Sequence, residues 1–484
     1  MLIKNNGTNP ITMNLRDGSS YVLQPGVPTS VPDAATTMID DSPVLIALFN
    51  AGTLTVTTDA GGAFSGFPTV VNSTDSAAGK LLTVHAKVGA YGSRTLVDST
   101  GASVGGNSTI GSRIAPVSSG SIVANLPIFT AAVKNTMQRK SPTIVLINGD
   151  STEAGFGVGS GNNGFVGARK STHAAQLARM LGWNDSGVVG AGCGTDVALN
   201  LYDERASISG AGLTVQGNVG ALGSGWVMFA NGSVGVYSIT PRGNRGFDRV
   251  RVVYGRYATG GASSMSVLVG GTSIGTFDAR GGTGLGDTQA VEFPCTYAGP
   301  HTPITIQGTS GTTDGQCIIS AVIWYDSTDP GVIVLNGGAS GAKIADMDSN
   351  SNPWAARFVR AAIAPHLNVL NAWINDTYYR TAPATYATKL AGFKTNAGIG
   401  VTSDIVYMGY QPINDASMTD GQGDAIWAAL LAAAGSAPVI DLREVFGTTY
   451  AAAAALGIFG SDALHINAKG QYYKACGTAP RFAI

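Results

Sequence analysis

A serine, a histidine and an aspartate stand in segments where hydrolytic chemistry is possible. Ser151 follows the apolar run PTIVLING, so its hydroxyl lies where a buried strand is predicted to end. Serine acts as a nucleophile only when a histidine removes its proton and a third group orients the imidazole. His465 can do so, because Asp462 stands three residues earlier in GSDALHINAKGQ, on a predicted loop before the last helix. At that spacing the carboxylate can reach one ring nitrogen and leave the other free.

The other four histidines have simpler explanations. His85 lies in a predicted strand, and His301 lies in a turn directly after a proline. His173 opens a predicted helix and His366 precedes a strand, where helix capping or contact with solvent accounts for each. For the DALH segment taken alone, a solvated aspartate and a helix-capping histidine explain the residues equally well.

Three acidic residues near these segments are interpreted as structural rather than reactive. Asp150 is predicted to accept hydrogen bonds in a turn or at a helix N-terminus. Asp376 is predicted to anchor its own loop. Glu153 is assigned to the loop after the strand, where no neighbour would orient it as a base.

Two segments, GASVG at 101–105 and GTSIG at 271–275, match the G-x-S-x-G pattern of a nucleophile elbow. Such an elbow requires a strand before the serine and a helix after it. Ser103 lies in a Gly/Ser-rich connector, and Ser273 lies between two strand-like segments that predict a hairpin. Both segments are therefore predicted to be turns.

The composition excludes several classes of protein. The length of 484 residues predicts two to four domains. With 29 basic and 30 acidic residues, the chain lacks the excess positive charge of a nucleic-acid binder. A neutral polymer is therefore the better candidate for a partner. No apolar run reaches the roughly 18 residues of a membrane span, and the first residues resemble no signal peptide. The four cysteines form no CxxC pair, which argues against a metal site. Cys295 and Cys317 could pair, but isolated thiols are the favoured interpretation.

The pattern of apolar residues divides the chain into four parts. Residues 1–58 alternate in the manner of a small β domain, and residues 59–135 form a connector or a second small β unit. Strands followed by helices in 136–194 and 331–484 predict an α/β domain with a parallel sheet. Between them, residues 195–330 contain strand-like segments and glycine turns, which predict an inserted β-sandwich.

Four segments resemble the sequence blocks of the SGNH, or GDSL-like, hydrolases, in the order of that family. They are GDS after the first α/β strand, GASGAK after a later strand, WIND after the next and DALH near the end of the chain. The resemblance spans about 136–194 and 331–484. It implies a flavodoxin-like three-layer α/β/α core.

The resemblance also implies roles for individual residues. Ser151 would be the nucleophile, and Asp462 and His465 would complete its catalytic triad. Ser151, Gly341 and Asn375 would donate hydrogen bonds to the oxyanion of the tetrahedral intermediate. Fixed donors are what such an intermediate requires, because negative charge develops on the carbonyl oxygen.

The chain departs from the family pattern in two places. Trp373 stands where the third block usually begins with glycine, which puts the shape of the acyl or leaving-group pocket in question. Residues 195–330 stand where the family has a short connection. We expect this insert to shape access for a polymer, so that its deletion would spare small acetate esters. Tyr254 and Tyr257 could stack on sugar rings, although packing on a strand face is the favoured interpretation.

The resemblance implies a serine esterase of the carbohydrate type, which removes O-acetyl or other short acyl groups from a polysaccharide without a metal or cofactor. Residues 17–56, which begin DGSSYVLQPGVPTSV and end GTLTV, also resemble a small domain of phage structural proteins. This implies a virion, tail-associated location, a bacterial surface polysaccharide as substrate, and tail components or a homotrimer as partners. A virion adhesin that keeps the fold as a glycan-binding scaffold and a cytoplasmic general esterase are the alternatives. The complete Ser/Asp/His/Asn set favours the enzyme.

Overall fold

The structure, a computed structural model, separates the chain into two compact units, residues 1–118 and 119–484. It describes residues 2–14, 20–30, 53–57, 122–158, 168–190, 203–218, 220–229, 234–242, 245–256, 264–279, 287–308, 317–352 and 354–482. No helix in these ranges is both long enough and apolar enough to cross a membrane. Four residues discussed above lie outside the described ranges: His85, Ser103, Cys193 and Tyr257.

The first unit is built from short strands. They are β1 (Leu2–Asn5), β2 (Ile11–Asn14), β3 (Ser20–Leu23), β4 (Pro28–Ser30) and β5 (Leu54–Thr57). β1 lies between β4 and β5 in an antiparallel sheet, and β2 pairs with β3. This β structure agrees with the alternating pattern and the Gly and Pro punctuation of the sequence.

The second unit combines strands and helices. Its strands are β6 (Thr143–Gly149), β7 (Gly187–Val189), β8 (Ala206–Ser209), β9 (Leu213–Gly217), β10 (Gly225–Phe229), β11 (Val236–Ile239), β12 (Phe247–Gly255), β13 (Ser264–Val269), β14 (Thr272–Asp278), β15 (Thr288–Ala298), β16 (Ile304–Gly308), β17 (Cys317–Tyr325), β18 (Val332–Gly338), β19 (Leu367–Asn371), β20 (Asp404–Gly409) and β21 (Val439–Asp441). Its α-helices are α1 (Pro127–Met137), α2 (Ser151–Ala154), α3 (His173–Leu181), α4 (Ile344–Met347), α5 (Ala356–Ile363), α6 (Ile374–Tyr378), α7 (Pro383–Asn396), α8 (Gln422–Ala434), α9 (Arg443–Phe446), α10 (Tyr450–Ala454) and α11 (Ala468–Thr478).

Five of these strands form a parallel sheet in the order β18-β6-β19-β20-β21. Counted along the chain this is the 2-1-3-4-5 order of a doubly wound sheet. In such sheets ligands bind outside the carboxyl ends of the strands, at the point where the strand order reverses. That point lies between β6 and β19. Ser151 follows the end of β6, so it lies at this point, as its predicted position after a strand requires.

Alternating side chains bury both faces of the parallel sheet. In β6, Val145 and Ile147 pack in one apolar cluster with α1 and α3, whereas Ile144 and Leu146 pack on the opposite side. On that opposite side, strand β20 places Ile405 in a further cluster with α7 and α8. A strand that is buried on both faces has a continuous apolar sequence, which explains the run TIVLING.

The remaining strands form two antiparallel sheets. One has the order β15-β12-β17-β10-β9, with β7 also paired to β17, and the other has the order β14-β13-β16-β11-β8. Strand β17 is buried on both faces. Its Val322 and Trp324 join the core that the two antiparallel sheets share, while Ala321 and Ile323 pack in a cluster with Leu335 of the parallel sheet. The antiparallel strands are therefore continuous in packing with the α/β part.

Two side chains of this region have the structural roles that the sequence favours. Tyr254 is buried against Phe277, with ring centroids 4.4 Å apart, so strand-face packing accounts for it. Ser273 lies in the β13–β14 hairpin with its hydroxyl 3.4 Å from that of Ser266. This hairpin is incompatible with a nucleophile elbow.

The three described cysteines are free thiols. Cys295, Cys317 and Cys476 have no disulfide, so isolated thiols are confirmed at these positions and the Cys295–Cys317 pair does not form. Burial raises the pKa of Cys476 to about 11 and that of Cys317 still further. Thiols of this kind are poor nucleophiles, because the reactive thiolate is disfavoured.

The α/β part begins earlier in the chain than the sequence pattern indicates. Residues 127–137 form helix α1, and Phe129 is fully buried against the parallel sheet. The backbone N–H of Phe129 also donates to Asp404 Oδ2 at 2.8 Å, at the start of β20. The described end of the predicted 59–135 connector is thus part of the second unit, while residues 59–121 lie outside the described ranges.

The packing of β17 on the parallel sheet changes the result expected for deletion of residues 195–330, which the sequence alone predicts to spare small acetate esters. The deletion removes β17 and so exposes the apolar side chains of β6 and β18 that pack beneath it. We expect the shortened chain to aggregate and to lose hydrolysis of small acetate esters together with that of polymers. Size-exclusion chromatography and p-nitrophenyl acetate turnover measure both effects. A soluble, fully active deletion variant would show that the insert is independent of the core.

Candidate active site

Three strands of the parallel sheet end at the same level. Gly149 at the end of β6 lies opposite Gly338 of β18 on one side and opposite Asn371 of β19 on the other. The N–H of Ala339 continues this alignment by donating to the Gly149 carbonyl at 2.8 Å. The loops after these strands carry GDS, GASGAK and WIND, so the strand register brings three of the four motif segments together.

The turn after β6 presents Ser151 at the start of helix α2. The side chain of Asp150 accepts the N–H of Thr152 at 2.8 Å and caps this helix, as the sequence predicts. Burial raises the pKa of Asp150 to about 6, against the opposing effect of the Thr152 N–H. Gly149 is required because a Cβ there would lie 2.3 Å from Cγ of Glu153, which folds back over the strand end.

The structure brings Ser151, His465 and Asp462 into one hydrogen-bonded chain. Ser151 Oγ lies 2.6 Å from His465 Nε2, and His465 Nδ1 lies 2.6 Å from Asp462 Oδ2. With Asp462 ionised, Nδ1 carries the ring proton and donates it to the carboxylate, which leaves Nε2 to accept the serine O–H. This arrangement can transfer a proton from the serine to the imidazole during attack on a carbonyl.

Hydrogen bonds hold Asp462 in its ionised form. Burial acts to raise the pKa of Asp462, but hydrogen bonds from the ring and backbone of His465 outweigh it and lower the pKa to about 2. The second carboxylate oxygen, Oδ1, accepts the N–H groups of Leu464 at 3.0 Å and His465 at 2.9 Å. The imidazole is further held by Phe156, whose ring stacks on it with centroids 4.1 Å apart. No sequence pattern indicates this contact.

The loop after β18 and helix α6 hold the other predicted site residues. Asn375 is 7% exposed, and its Nδ2 donates to the carbonyl of Ala342 at 3.0 Å, next to Gly341. Asp376 Oδ2 accepts the N–H of Ile344 at 2.8 Å. Asp376 is thus an anchor, but through this contact it holds the loop after β18 rather than its own loop, which is the one the sequence predicts. Among the described residues the backbone N–H groups of Ser151 and Gly341 have no hydrogen-bond acceptor in the structure. They are thus available to a ligand.

Trp373 is a core residue, and its neighbours explain how it replaces the expected glycine. It is fully buried, and its ring stacks on that of Tyr410 with centroids 4.9 Å apart. A Cβ on Gly409 would lie 3.1 Å from Cβ of Trp373 and 3.0 Å from the ring of Trp427. The space that the indole needs is provided by a glycine on the neighbouring strand β20. Trp373 therefore packs in the buried apolar cluster that also contains Tyr410 and Trp427.

The assignment of Glu153 to a loop without partners is wrong. Glu153 lies in helix α2 and is fully buried. Its Oε1 pairs with Lys474 Nζ and accepts Asn371 Nδ2 at 2.9 Å, and its Oε2 lies 3.1 Å from His173 Nδ1. Burial alone would raise the pKa of Glu153, but Lys474 and His173 hold it below its ordinary value. The sequence gives no sign of this, because the partners lie far along the chain.

The other described histidines do not approach Ser151. His173 opens helix α3 as predicted, but Thr172 caps that helix and the His173 ring is fully buried between Glu153 and Thr478, so both the capping role and the solvent role are wrong. His366 Nδ1 accepts the N–H of Ile144 at 3.0 Å, at the opposite end of β6. His301 is exposed in the turn before β16. Among the described histidines His465 alone meets the serine.

Within the described ranges, no group of three or more His, Cys, Asp or Glu side chains is placed to hold a metal ion.

No protein-family model and no curated protein matches the chain. Among solved structures, a peptidoglycan O-acetylesterase matches with a TM-score of 0.53 and 14% identity, over 74% of this chain and 95% of that one. A family two carbohydrate esterase from Clostridium thermocellum, in complex with cellohexaose, has a TM-score of 0.23 and 9% identity over 56% and 97%. A family 35 carbohydrate-binding module from the same organism matches with a TM-score of 0.22 and 14% identity, over 29% of this chain and 98% of that one.

The first likeness defines the class of fold. A TM-score of 0.53 over most of both chains means that this protein shares the overall fold of the peptidoglycan O-acetylesterase. At 14% identity the likeness concerns the fold alone. The other two scores lie below 0.5 and carry no structural argument.

The buried ion pair beneath Ser151 gives a stability prediction. Glu153→Gln should lower the free energy of unfolding by about 3–5 kcal/mol, because the buried Lys474 ammonium loses its counter-charge. In the double variant Glu153→Gln/Lys474→Met no charge remains unpaired, so much of the stability should return. Urea denaturation measures both variants. Equal stability of the single and double variants would contradict a role for the ion pair.

Proposed function

We propose that this protein is a serine esterase that removes O-acetyl groups from a carbohydrate. The observation that carries the proposal is the hydrogen-bonded chain Ser151–His465–Asp462, with 2.6 Å at each step, at the switch point of a doubly wound sheet. Sheet order and fold likeness also support a three-layer SGNH-type core, with residues 195–330 as an inserted β-sandwich. The division of the chain into a small N-terminal β domain, a connector, an α/β domain and an insert remains part of this proposal, with the α/β domain beginning before residue 136.

The proposed reaction proceeds through an acyl-enzyme. Ser151 Oγ attacks the acetyl carbonyl while His465 Nε2 takes its proton, and Asp462 stabilises the imidazolium that forms. The N–H groups of Ser151 and Gly341 and the amide of Asn375 donate to the oxyanion. The imidazolium then protonates the departing sugar hydroxyl, which leaves an acetyl ester on Ser151. Water attacks this ester with His465 as base, and acetate is released.

The substrate is proposed to be an O-acetylated bacterial glycan. Two features support this class. The fold likeness is to a protein that is described as acting on O-acetylated peptidoglycan. The chain itself has only 12% charged residues and a formal net charge of −1, which suits an uncharged polymer better than a strongly ionic one. A virion location and tail or homotrimer partners remain predictions from residues 17–56.

A binding protein that keeps the fold as a scaffold is the competing function. A scaffold has no need for a histidine within 2.6 Å of a serine hydroxyl and a carboxylate within 2.6 Å of the same histidine. Each of these contacts orients a group that only catalysis uses. The geometry therefore favours the esterase.

The nucleophile prediction tests the proposal. Wild-type protein should release acetate from acetylated bacterial glycans and from p-nitrophenyl acetate. Ser151→Ala should lower kcat by several orders of magnitude with an unchanged circular dichroism spectrum, because it removes the attacking oxygen alone. A serine-directed phosphonate followed by peptide mass spectrometry should label Ser151. Labelling at Ser103 or Ser273, or glycan binding without acetate release, would contradict the assignment.

Asn375 separates catalysis from substrate binding. Asn375→Ala should reduce kcat by roughly 10²–10³ with little change in KM, because its amide is needed more in the transition state than in the ground state. Asn375→Asp should be at least as damaging, since it places a negative charge beside the oxyanion. Steady-state kinetics and melting temperature distinguish this from a loop-bracing role. Near-normal kcat in Asn375→Asp at unchanged stability would rule out the donor role.

A further inference from the structure

A segment outside all four motifs reaches the candidate active site. Residues 220–225 connect two strands of the antiparallel part, and they are bound to the chain near α5. The carbonyl of Gly220 accepts the N–H of Ala356 at 2.8 Å, and Ala221 forms an antiparallel bridge with Ala355. The segment contains Ser224, whose side chain is 0% exposed. The antiparallel part thus contributes one buried hydroxyl to this region.

The Ser224 hydroxyl holds the loop that carries Gly341. Ser224 Oγ accepts the backbone N–H of Ser340 at 2.7 Å, and it lies 3.5 Å from the carbonyl of Gly338 as a donor. Ser340 immediately precedes Gly341, and its carbonyl carbon is bonded to the Gly341 nitrogen. The hydrogen bond to Ser224 therefore fixes the residue next to the Gly341 N–H. A shift at Ser340 would redirect the Gly341 N–H.

The same loop also positions Asn375. The carbonyl of Ala342, one residue beyond Gly341, accepts Asn375 Nδ2 at 3.0 Å. Two of the three proposed oxyanion donors therefore depend on the stretch from Ser340 to Ala342. The end of the loop is fixed separately, where Asp376 accepts the N–H of Ile344.

The backbone of Ser224 shows that the hydroxyl has a specific role. Ser224 has φ of 64°, in the left-handed region that non-glycine residues rarely adopt, and glycines stand on both sides of it. Glycine would occupy this position at no steric cost. A serine in a strained conformation implies that its side chain contributes something that the surroundings require. The shorter of the two hydrogen bonds given above for the Ser224 hydroxyl is the one that it accepts from the Ser340 N–H.

We propose that Ser224 is a positioning residue for the oxyanion hole, acting through Ser340 on Gly341 and Asn375. The inference rests on the proposed esterase function. It assigns to the antiparallel segment a part in the chemical step itself, in addition to any effect on polymer access.

Two variants at Ser224 test the proposal. Ser224→Ala and Ser224→Gly both remove the hydroxyl, but only glycine also relieves the strained φ. Each should lower kcat for p-nitrophenyl acetate by about 10- to 100-fold with KM changed by less than about twofold, as expected for misplaced oxyanion donors. Phosphonate labelling of Ser151 should slow by a similar factor, because the phosphoryl oxygen occupies the same donors. Active sites are counted by phosphonate titration, so a partly unfolded variant is still measured correctly.

A matched control and a double variant separate positioning from stability. Ser266→Ala removes another buried hydroxyl of the antiparallel part, 3.4 Å from that of Ser273, and should leave kcat unchanged. In an Asn375→Ala background, Ser224→Ala should cost less than in wild type, because part of its effect passes through Asn375. Full additivity would contradict that route.

The outcomes distinguish this inference from the proposed function. If the wild-type protein hydrolyses acetate esters and Ser224→Gly retains full kcat per titrated site, the positioning role is overturned and the esterase stands. A lowered melting temperature with unchanged kcat in both variants has the same meaning. If the wild-type protein hydrolyses none of the esters, the proposed function fails, and the inference fails with it.

Discussion

The hydrogen bond between Ser151 Oγ and His465 Nε2 joins residues that are 314 positions apart, and the rest of the site depends on it. Neither side chain fixes this distance by itself. Helix α2 carries the serine, and helix α11 follows the histidine. Lys474 of α11 pairs with Glu153 of α2, and Gln471 Nε2 of α11 donates to the carbonyl of Thr152 at 2.6 Å. These buried contacts hold the two helices in register, so the serine and the imidazole meet.

The loop that carries the proposed oxyanion donors is held by a different part of the molecule. The loop after β18 begins at the level of Gly149, where Ala339 donates to its carbonyl, and it is fixed further along by Ser224, Asn375 and Asp376. These anchors come from three separate stretches of the chain. Donors that are already fixed need no reorganisation when the oxyanion forms. The strand register thus defines where the site lies, and the anchored loop defines its shape.

The sequence indicates which residues could react better than it indicates what surrounds them. Ser151 and His465 stand in short local motifs whose residue types follow from the chemistry, and the alternation of strands and helices indicates a parallel sheet. The contacts of Glu153 could not be found in this way, because His173 lies 20 positions and Lys474 321 positions from it. The burial of Trp373 could not be predicted either, because it depends on the space that Gly409 leaves on the neighbouring strand. Spacing along the chain carries no information on such long-range packing.

Motif residues and supporting residues therefore have different physical tasks in this protein. In the proposed reaction the motif residues contribute the atoms that react. The distances between those atoms are set by Lys474, Gln471 and Ser224, none of which belongs to a motif. An overall fold that is shared at 14% identity is understandable on this basis. The same strand order can be held together by different buried contacts.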